Sequence, residues 1–333
     1  MNTVRSGVRR AHVLATLLAI LIPAALFTGI APVHAQYPNK PIRFILPFPP
    51  GGGTDTLARI LGGKLAEGLA QQVILDNRPG AGANIGAELA AKAPPDGYTL
   101  LMGNIAHTIN MTLYRKLNYN FVKDFSAVSL LASAPNIVVV HPSVPAKSIK
   151  ELVALARARP GALDYASSGS GSSAHLAAVL MLELTKTQMN HIPYKGGGPA
   201  AIAAIGGQTQ LIIGTTVGLL PHVRSGKLRA IAVTSPKRTA SAPEIPTFAE
   251  SGAPGYDHEP WNGLLAPAKT PTAIVAKLNA EVARMLGAPE VKKIFANEGA
   301  EAVGNSPEAF AAIVKAETAK WAKVIKTAGI KID

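Results

Sequence analysis

The stretch IRFILPFPPGGGTDTLARIL, residues 42–61, joins an apolar run, three consecutive glycines and the start of an amphipathic segment. Ile42 to Phe48 has the length and composition of a short buried strand. Leu57, Ile60, Leu61, Leu65 and Leu69 then recur at the spacing of one helix face. Glycines between a strand and a helix let backbone N–H groups point into a shared space, which suits an anion at a helix start.

The same unit recurs along the chain. QVILDN (72–77) leads through RPGAGAN (78–84) to an alanine-rich helix, and YTLLMG (98–103) runs into NIAHTIN (104–110). After SIKELVALARA (148–158), which opens with the capping pair Ser148 and Glu151, LDYAS leads into SGSGSSA (168–174) and a helix. HIPY leads into KGGGPA (195–200), QLIIG into TTVG (215–218), and LRAIAVTS closes the series. Strands alternating with helices predict parallel sheets covered on both faces, with ligands bound beyond the carboxyl ends of the strands. Three such loops precede residue 110 and three follow residue 165, the arrangement of a ligand cleft between two α/β domains. The C-terminal segments TPTAIVAKLNAEVARML and SPEAFAAIVKAETAKWAKVIK read as packing helices, with Thr270 and Ser306 as caps and Pro271 and Pro307 at the first helical positions.

Residues 1–35 read differently: Arg5, Arg9 and Arg10, an apolar run from Val13 to Ile30, then VHA at 33–35. That is the pattern of a secretory signal peptide cleaved after Ala35, giving an exported, periplasmic chain. Removing 35 of 333 residues leaves 298, enough for two domains. There are no cysteines, so stability is expected from packing alone. The net charge of +13 becomes +10 without the three leader arginines and favours anionic partners. The basic residues are scattered, so nucleic acid is not an expected partner.

Several chemistries fail on spacing. A phosphate loop needs Gly-Lys-Ser/Thr after its glycines, whereas here Gly53 is followed by Thr54 and Asp55. GAGANIG (80–86) and GSGSSA (169–174) touch the dinucleotide fingerprint, but no acid stands about 20 residues further on. The serines at 167–173 lack the glycine-flanked elbow of a hydrolase nucleophile and read as caps and hydrogen-bond donors. His107, His141, His175, His191, His222 and His258 are spread singly, so no metal site and no cofactor are expected. Trp261 and Trp321 read as core residues.

YPNKPIRFILPFPPGGGTDTLAR, DNRPGAGANIGAELAAKAPPDGYTLLMG, HIPYKGGGPA, SGKLRAIAVTS and APAKTP together resemble the substrate-binding proteins of tripartite tricarboxylate transporters, the Bug family, over essentially the whole chain after residue 35. The resemblance implies a two-domain flytrap fold of the periplasmic-binding-protein type, residues 36–132 with 262–333 forming one domain and 133–261 the other. It implies VSLLASAPNIVVVHP and HEPWNGLLAP as the two crossings. It also implies a monomer that binds a di- or tricarboxylate, an acidic amino acid or an aromatic acid, delivers it to membrane permease subunits and performs no catalysis. Carried over, the ligand loops are Pro49 with Gly51, Gly52, Gly53, Thr54 and Asp55, facing Ser168, Gly169, Ser170, Gly171, Ser172 and Ser173 with His175. Gly103, Asn104, Lys195, Gly196 and Gly197 are expected in the wall. His107, Thr215 and Thr216 depart from the family's usual residues and are expected at the distal end of the ligand. Asp55 reads first as a helix-start acid and second as a partner for a ligand amine or hydroxyl. A sensor module docking to a membrane kinase, and an exported serine hydrolase, are the alternatives.

Overall fold

The computed structural model describes residues 37–328 apart from Gly255 and Asp257; the expected leader lies outside the described residues. From the first residues onward the chain forms β1 (Ile42–Leu46), α1 (Gly53–Leu69), β2 (Val73–Asn77), α2 (Asn84–Ala91), β3 (Thr99–Asn104), α3 (Ile105–Leu113) and β4 (Phe125–Ser133). There follow β5 (Asn136–Val140), α4 (Ile149–Ala158), β6 (Asp164–Ser167), α5 (Ser173–Thr185), β7 (Asn190–Pro193) and α6 (Gly197–Ile205). Next come β8 (Leu211–Thr215), α7 (Thr216–Arg224), β9 (Arg229–Val233) and β10 (Trp261–Pro267). The chain then adds α8 (Thr272–Gly287), α9 (Pro289–Glu298), β11 (Glu301–Ala302) and α10 (Pro307–Ala328).

The strands make two sheets, β11-β4-β10-β3-β1-β2 and β7-β6-β8-β5-β9. Both are mixed rather than parallel, which corrects the reading from alternation. β10 runs antiparallel to β3 and β4, and β5 runs antiparallel to β8 and β9. The physical reason lies at the crossings. β4 passes into β5 through Ala134 and Pro135 alone, and β10 enters its sheet from the irregular segment after β9. Each comes from the other sheet and enters at the carboxyl ends of its neighbours, Asn136 opposite Thr215 and Asn262 opposite Asn104, so it runs against them.

Apolar patterning fixes where each strand sits. Ile42, Phe44, Ile45 and Leu46 are all buried, as befits a strand covered on both faces. Along β5 the side chains alternate between two cores. Val138 and Val140 pack with Met181, Phe248 and Tyr256, whereas Ile137 and Val139 pack with Ala201, Ile212 and Leu219. On the first sheet, Phe310 and Trp321 of α10 meet Ile109 and Leu113 of α3. Ser306 accepts from the Ala309 N–H at 3.2 Å and caps α10 as expected. At α8 the cap is Pro271 and the helix begins at Thr272; the Thr270 hydroxyl donates back to the Pro267 carbonyl at 2.8 Å.

Candidate functional site

Five helices follow strands of the two sheets directly or after loops of three to six residues, and their first residues line one cleft. Gly52, Gly53 and Thr54 come from α1, Asn104 from α3, Ser173 and Ala174 from α5, Gly197 from α6, and Thr215 and Gly218 from α7. Phe48, Pro49, Asn136, Ser168 and the end of β8 complete the lining, which contains no charged side chain. The cleft, mouth included, measures about 630 Å³. Each helix start carries unpaired N–H groups and roughly half a positive charge, so their convergence suits an anion without needing a cation.

The loop before α1 is held from behind. Asp55 is buried, and its carboxylate accepts from Gly51 N (3.0 Å), Asn77 Nδ2 (3.0 Å), Arg59 Nε (2.8 Å) and Arg59 Nη2 (3.1 Å). Burial alone would raise its pKa, but the hydrogen bonds from Arg59, Asn77 and Gly51 outweigh that and hold it lowered. Its lone pairs serve the loop. Gly52 caps α1 without any side-chain hydrogen bond, so the first N–H groups stay open to the cleft.

The loop before α5 is held by neutral groups. Ser167 Oγ lies 2.6 Å from His191 Nε2 and accepts from Gly169 N at 3.1 Å. Gly171 N donates to His175 Nδ1 at 3.2 Å, and Ser172 Oγ accepts from His175 N at 3.2 Å. The two imidazoles stack with centroids 4.2 Å apart. Burial lowers the His175 pKa to about 4; burial and then its neighbour lower that of His191 to about 3.

On the cleft floor, Asn136 Nδ2 donates to Ser173 Oγ (3.0 Å), which lies 2.8 Å from His258 Nε2. Asn136 is fully buried and its Oδ1 has no protein partner. A buried amide oxygen left unpaired at a cleft wall is a group set for something that enters the cleft.

Among the residues expected in the site, Pro49, Gly52, Gly53, Thr54, Asn104, Ser168, Ser173, Gly197 and Thr215 line this cleft. Gly169, Ser170, Lys195 and Gly196, with Pro49 and Ser168 again, line a neighbouring chamber. Gly51 serves through its backbone N–H to Asp55. The remainder stand behind the wall. A Cβ at Gly103 would overlap Leu265 Cδ1, so that glycine is a packing device inside the sheet. His107 is not brought to the distal end of the cleft: its ring is fully buried, closes the α3 capping box with Asn104 and stacks on Phe121 at 4.8 Å. Burial lowers its pKa to about 4. Thr216 is likewise fully buried, its hydroxyl oxygen 2.5 Å from Gly299 O and 3.1 Å from Pro135 O, with its one proton to give to either carbonyl. Gly171, Ser172 and His175 shape their loop from inside. Asn136 and Phe48 were missed; Asn136 is a lone polar residue opening the apolar run NIVVV directly after the crossing, and that position was the available signal.

Across the cleft, loops of the two sheets approach each other backbone to backbone. A Cβ at Gly52 would lie 3.7 Å from Gly197 N, and one at Gly198 would lie 3.3 Å from Gly51 O. A Cβ at Gly53 would overlap Thr215 Oγ1, and one at Gly196 would overlap Pro49 Cγ. These loops meet at close range across the cleft.

Residues 57–330 match the profile of the family described as tripartite tricarboxylate transporter family receptor. The chain belongs to this family. It is 37% identical over 320 residues to the protein BugT of Bordetella pertussis, covering 95% of this chain and 98% of BugT. A structure described as a periplasmic transporter superposes with a TM-score of 0.86 at 38% identity, covering 89% of this chain and 100% of that one. The R. palustris protein Rpa4515, solved with adipate, gives 0.86 at 38% identity, with coverage of 89% and 99%. MatC of Rhodopseudomonas palustris, solved with malate, gives 0.83 at 33%, with coverage of 87% and 100%. The two-sheet α/β architecture is thus that of the Bug-type periplasmic binding proteins, and the family is one of receptors for solutes rather than enzymes.

Proposed function

We propose that the protein captures a small organic acid in the periplasm and delivers it to the membrane subunits of a tripartite tricarboxylate-type transporter. The observation that carries this is the convergence of five helix N-termini on a cleft lined by no charged side chain. A carboxylate there would receive several backbone N–H groups, the Thr54 and Thr215 hydroxyls and the Asn104 amide. Each helix start contributes ~0.3 to 2 kcal/mol to holding an anion. Without a fixed cation to neutralise, the site also releases its ligand readily, as a shuttle must. The adipate and malate of the relatives support the class of acid.

Residues 40–133 with 261–328 form one lobe and 136–233 the core of the other, joined through Ala134–Pro135 and through the segment after Val233; bending there opens and closes the cleft, ligand binding shifting the balance toward closure. The leader is removed after Ala35, and the exported chain acts as a monomer. A thermal-shift screen against mono-, di- and tricarboxylates, acidic amino acids, aromatic acids and neutral sugars tests the reading. A ligand at 100 times its Kd raises stability by ~2.7 kcal/mol. Stabilisation by carboxylates, or a carboxylate released on denaturation and found by mass spectrometry, is the expected result; stabilisation by a sugar and by no acid would end the proposal.

A further inference from the structure

The crossings give the molecule two sides. In the orders β11-β4-β10-β3-β1-β2 and β7-β6-β8-β5-β9, the crossing strands β4, β10 and β5 separate the strands that feed the cleft from the edge strands β11 and β9. The helix starts of the cleft follow β1, β3, β6, β7 and β8, all on one side. On the other side lies a groove of about 1320 Å³, mouth included. One wall carries Lys292 of α9 and Glu301 of β11, and the facing one is the segment from Ser235 to Ser241 after β9. Ser133 and Glu259, from the two crossings, complete it.

The charges of this groove do not cancel one another. Lys237, Lys292, Glu259 and Glu301 are all exposed, and none of them forms an ion pair among the described residues. Arg238 is engaged elsewhere, donating to Glu250 Oε2 at 2.9 Å and to Pro243 O at 3.0 Å. Glu259 Oε1 accepts from the Ser133 hydroxyl at 2.6 Å, a neutral partner that leaves its charge in place. Two ammoniums, one from each wall, and two carboxylates thus line one space. A simple anion there meets the carboxylates, and a simple cation meets the ammoniums. A ligand that carries both signs is complementary to the whole lining. The hydroxyls of Thr239 and Ser241, 2.7 Å apart, add neutral partners of the kind a peptide group takes.

We propose that this groove is a second binding site, for a small dipolar molecule: a free α-amino acid or a short unblocked peptide. Its carboxylate lies between Lys237 and Lys292 and its ammonium between Glu259 and Glu301, so the ligand bridges the two sheets on the side of the crossings away from the cleft. The site is separate from the cleft and does not depend on what the cleft holds.

Isothermal titration of the purified protein with glycine, diglycine and triglycine tests it, alongside N-acetyldiglycine, which lacks the ammonium, and diglycine amide, which lacks the carboxylate. Binding of the unblocked series is expected, and the length that binds best distinguishes an amino acid from a peptide. Each blocked form should bind about tenfold more weakly than diglycine. The exposed substitutions Lys237→Met, Lys292→Met and Glu301→Gln should each cost a similar factor, and the bridge requires that variants on both walls do so. The ligand-free melting temperature of each variant checks folding. If no unblocked member binds at millimolar concentration, or if binding survives all three substitutions unchanged, the groove is not a site. Equal binding of blocked and unblocked forms would equally overturn the proposal.

Discussion

The two jaws of the cleft are built on the same plan, a glycine-rich turn feeding a helix start, yet they are braced by opposite chemistry. The Gly51–Asp55 turn is tied by a buried carboxylate to Arg59, Asn77 and its own backbone, and its helix start is left uncapped. The Ser167–His175 turn is tied by neutral imidazoles and hydroxyls, and Ser172 takes up one of its helix N–H groups. An ionised brace is strong and tolerates acid; a neutral imidazole brace weakens well before it. The first jaw is therefore the fixed anvil, and the second is the one that conditions can loosen.

Four experiments press on that contrast, the largest effect first. Gly53→Ala places a methyl group against Thr215 Oγ1 across the cleft. Ligand affinity is expected to fall by ~100-fold, equivalent to about 2.7 kcal/mol, with the circular-dichroism spectrum unchanged; unaltered affinity would show that closure is not needed. Next, Asp55→Asn removes the charge from the first jaw's brace. It should cost about 2 kcal/mol in urea unfolding, because hydrogen bonds to an ionised group are the strong ones; a loss no greater than that of a surface Asp→Asn change would deny the brace its importance.

Ser173→Ala strips a partner from both Asn136 and His258, each fully buried. About 1 to 2 kcal/mol of stability should be lost, and an apparent gain would mean that the relay is strained rather than supportive.

The smallest effect is a pH slope. His107, His175, His191 and His258 have pKa values lowered from 6.5 to about 4, about 4, about 3 and about 3, burial being the main cause in each. A lowered folded-state value means that the unfolded chain takes up protons first. Stability is complete above about pH 6.5 and is lost as pH falls toward 4 and then 3. Asp55, also lowered, withdraws support only below its ordinary value of 3.8. His191→Gln should flatten the melting-temperature curve between pH 6.5 and 4, whereas Asp55→Asn should alter it only at the acid end. Identical curves for the wild type and the H191Q variant would remove the distinction between the jaws.

Much of this was legible before any coordinates. Strands β1 to β3 and β6 to β9 coincide with short runs read from the sequence, and the helix starts coincide with glycine- or hydroxyl-rich turns, because both signals are local; β4, β5 and β10 fall in the crossings that the family resemblance implied. Strand direction was not legible. An apolar run such as NIVVV looks alike in parallel and antiparallel pairing, and what decides it is the end of the sheet at which the chain enters, Asn136 standing opposite Thr215 at the end of β8. The two-residue β11 is too short to leave a pattern. In the site, turn glycines and caps were readable, but which side of the wall a residue occupies was not. His107 in NIAHTIN has the same local appearance whether it faces a ligand or stacks on Phe121, and Thr215 and Thr216 differ only in which side of one helix turn they fall.

The meeting of Gly52 with Gly197, and of Gly51 with Gly198, turns the cleft into a caliper. No side chain lies between the loops there to yield, so on the proposed function an acid that protruded by a single methyl group would prop them apart. Such an acid still engages the helix starts and still registers as bound. A permease that recognises only the shut form would refuse it. Recognition would then have two thresholds, one set by charge and one by thickness, and an analogue could pass the first, fail the second and so act as a competitor for uptake.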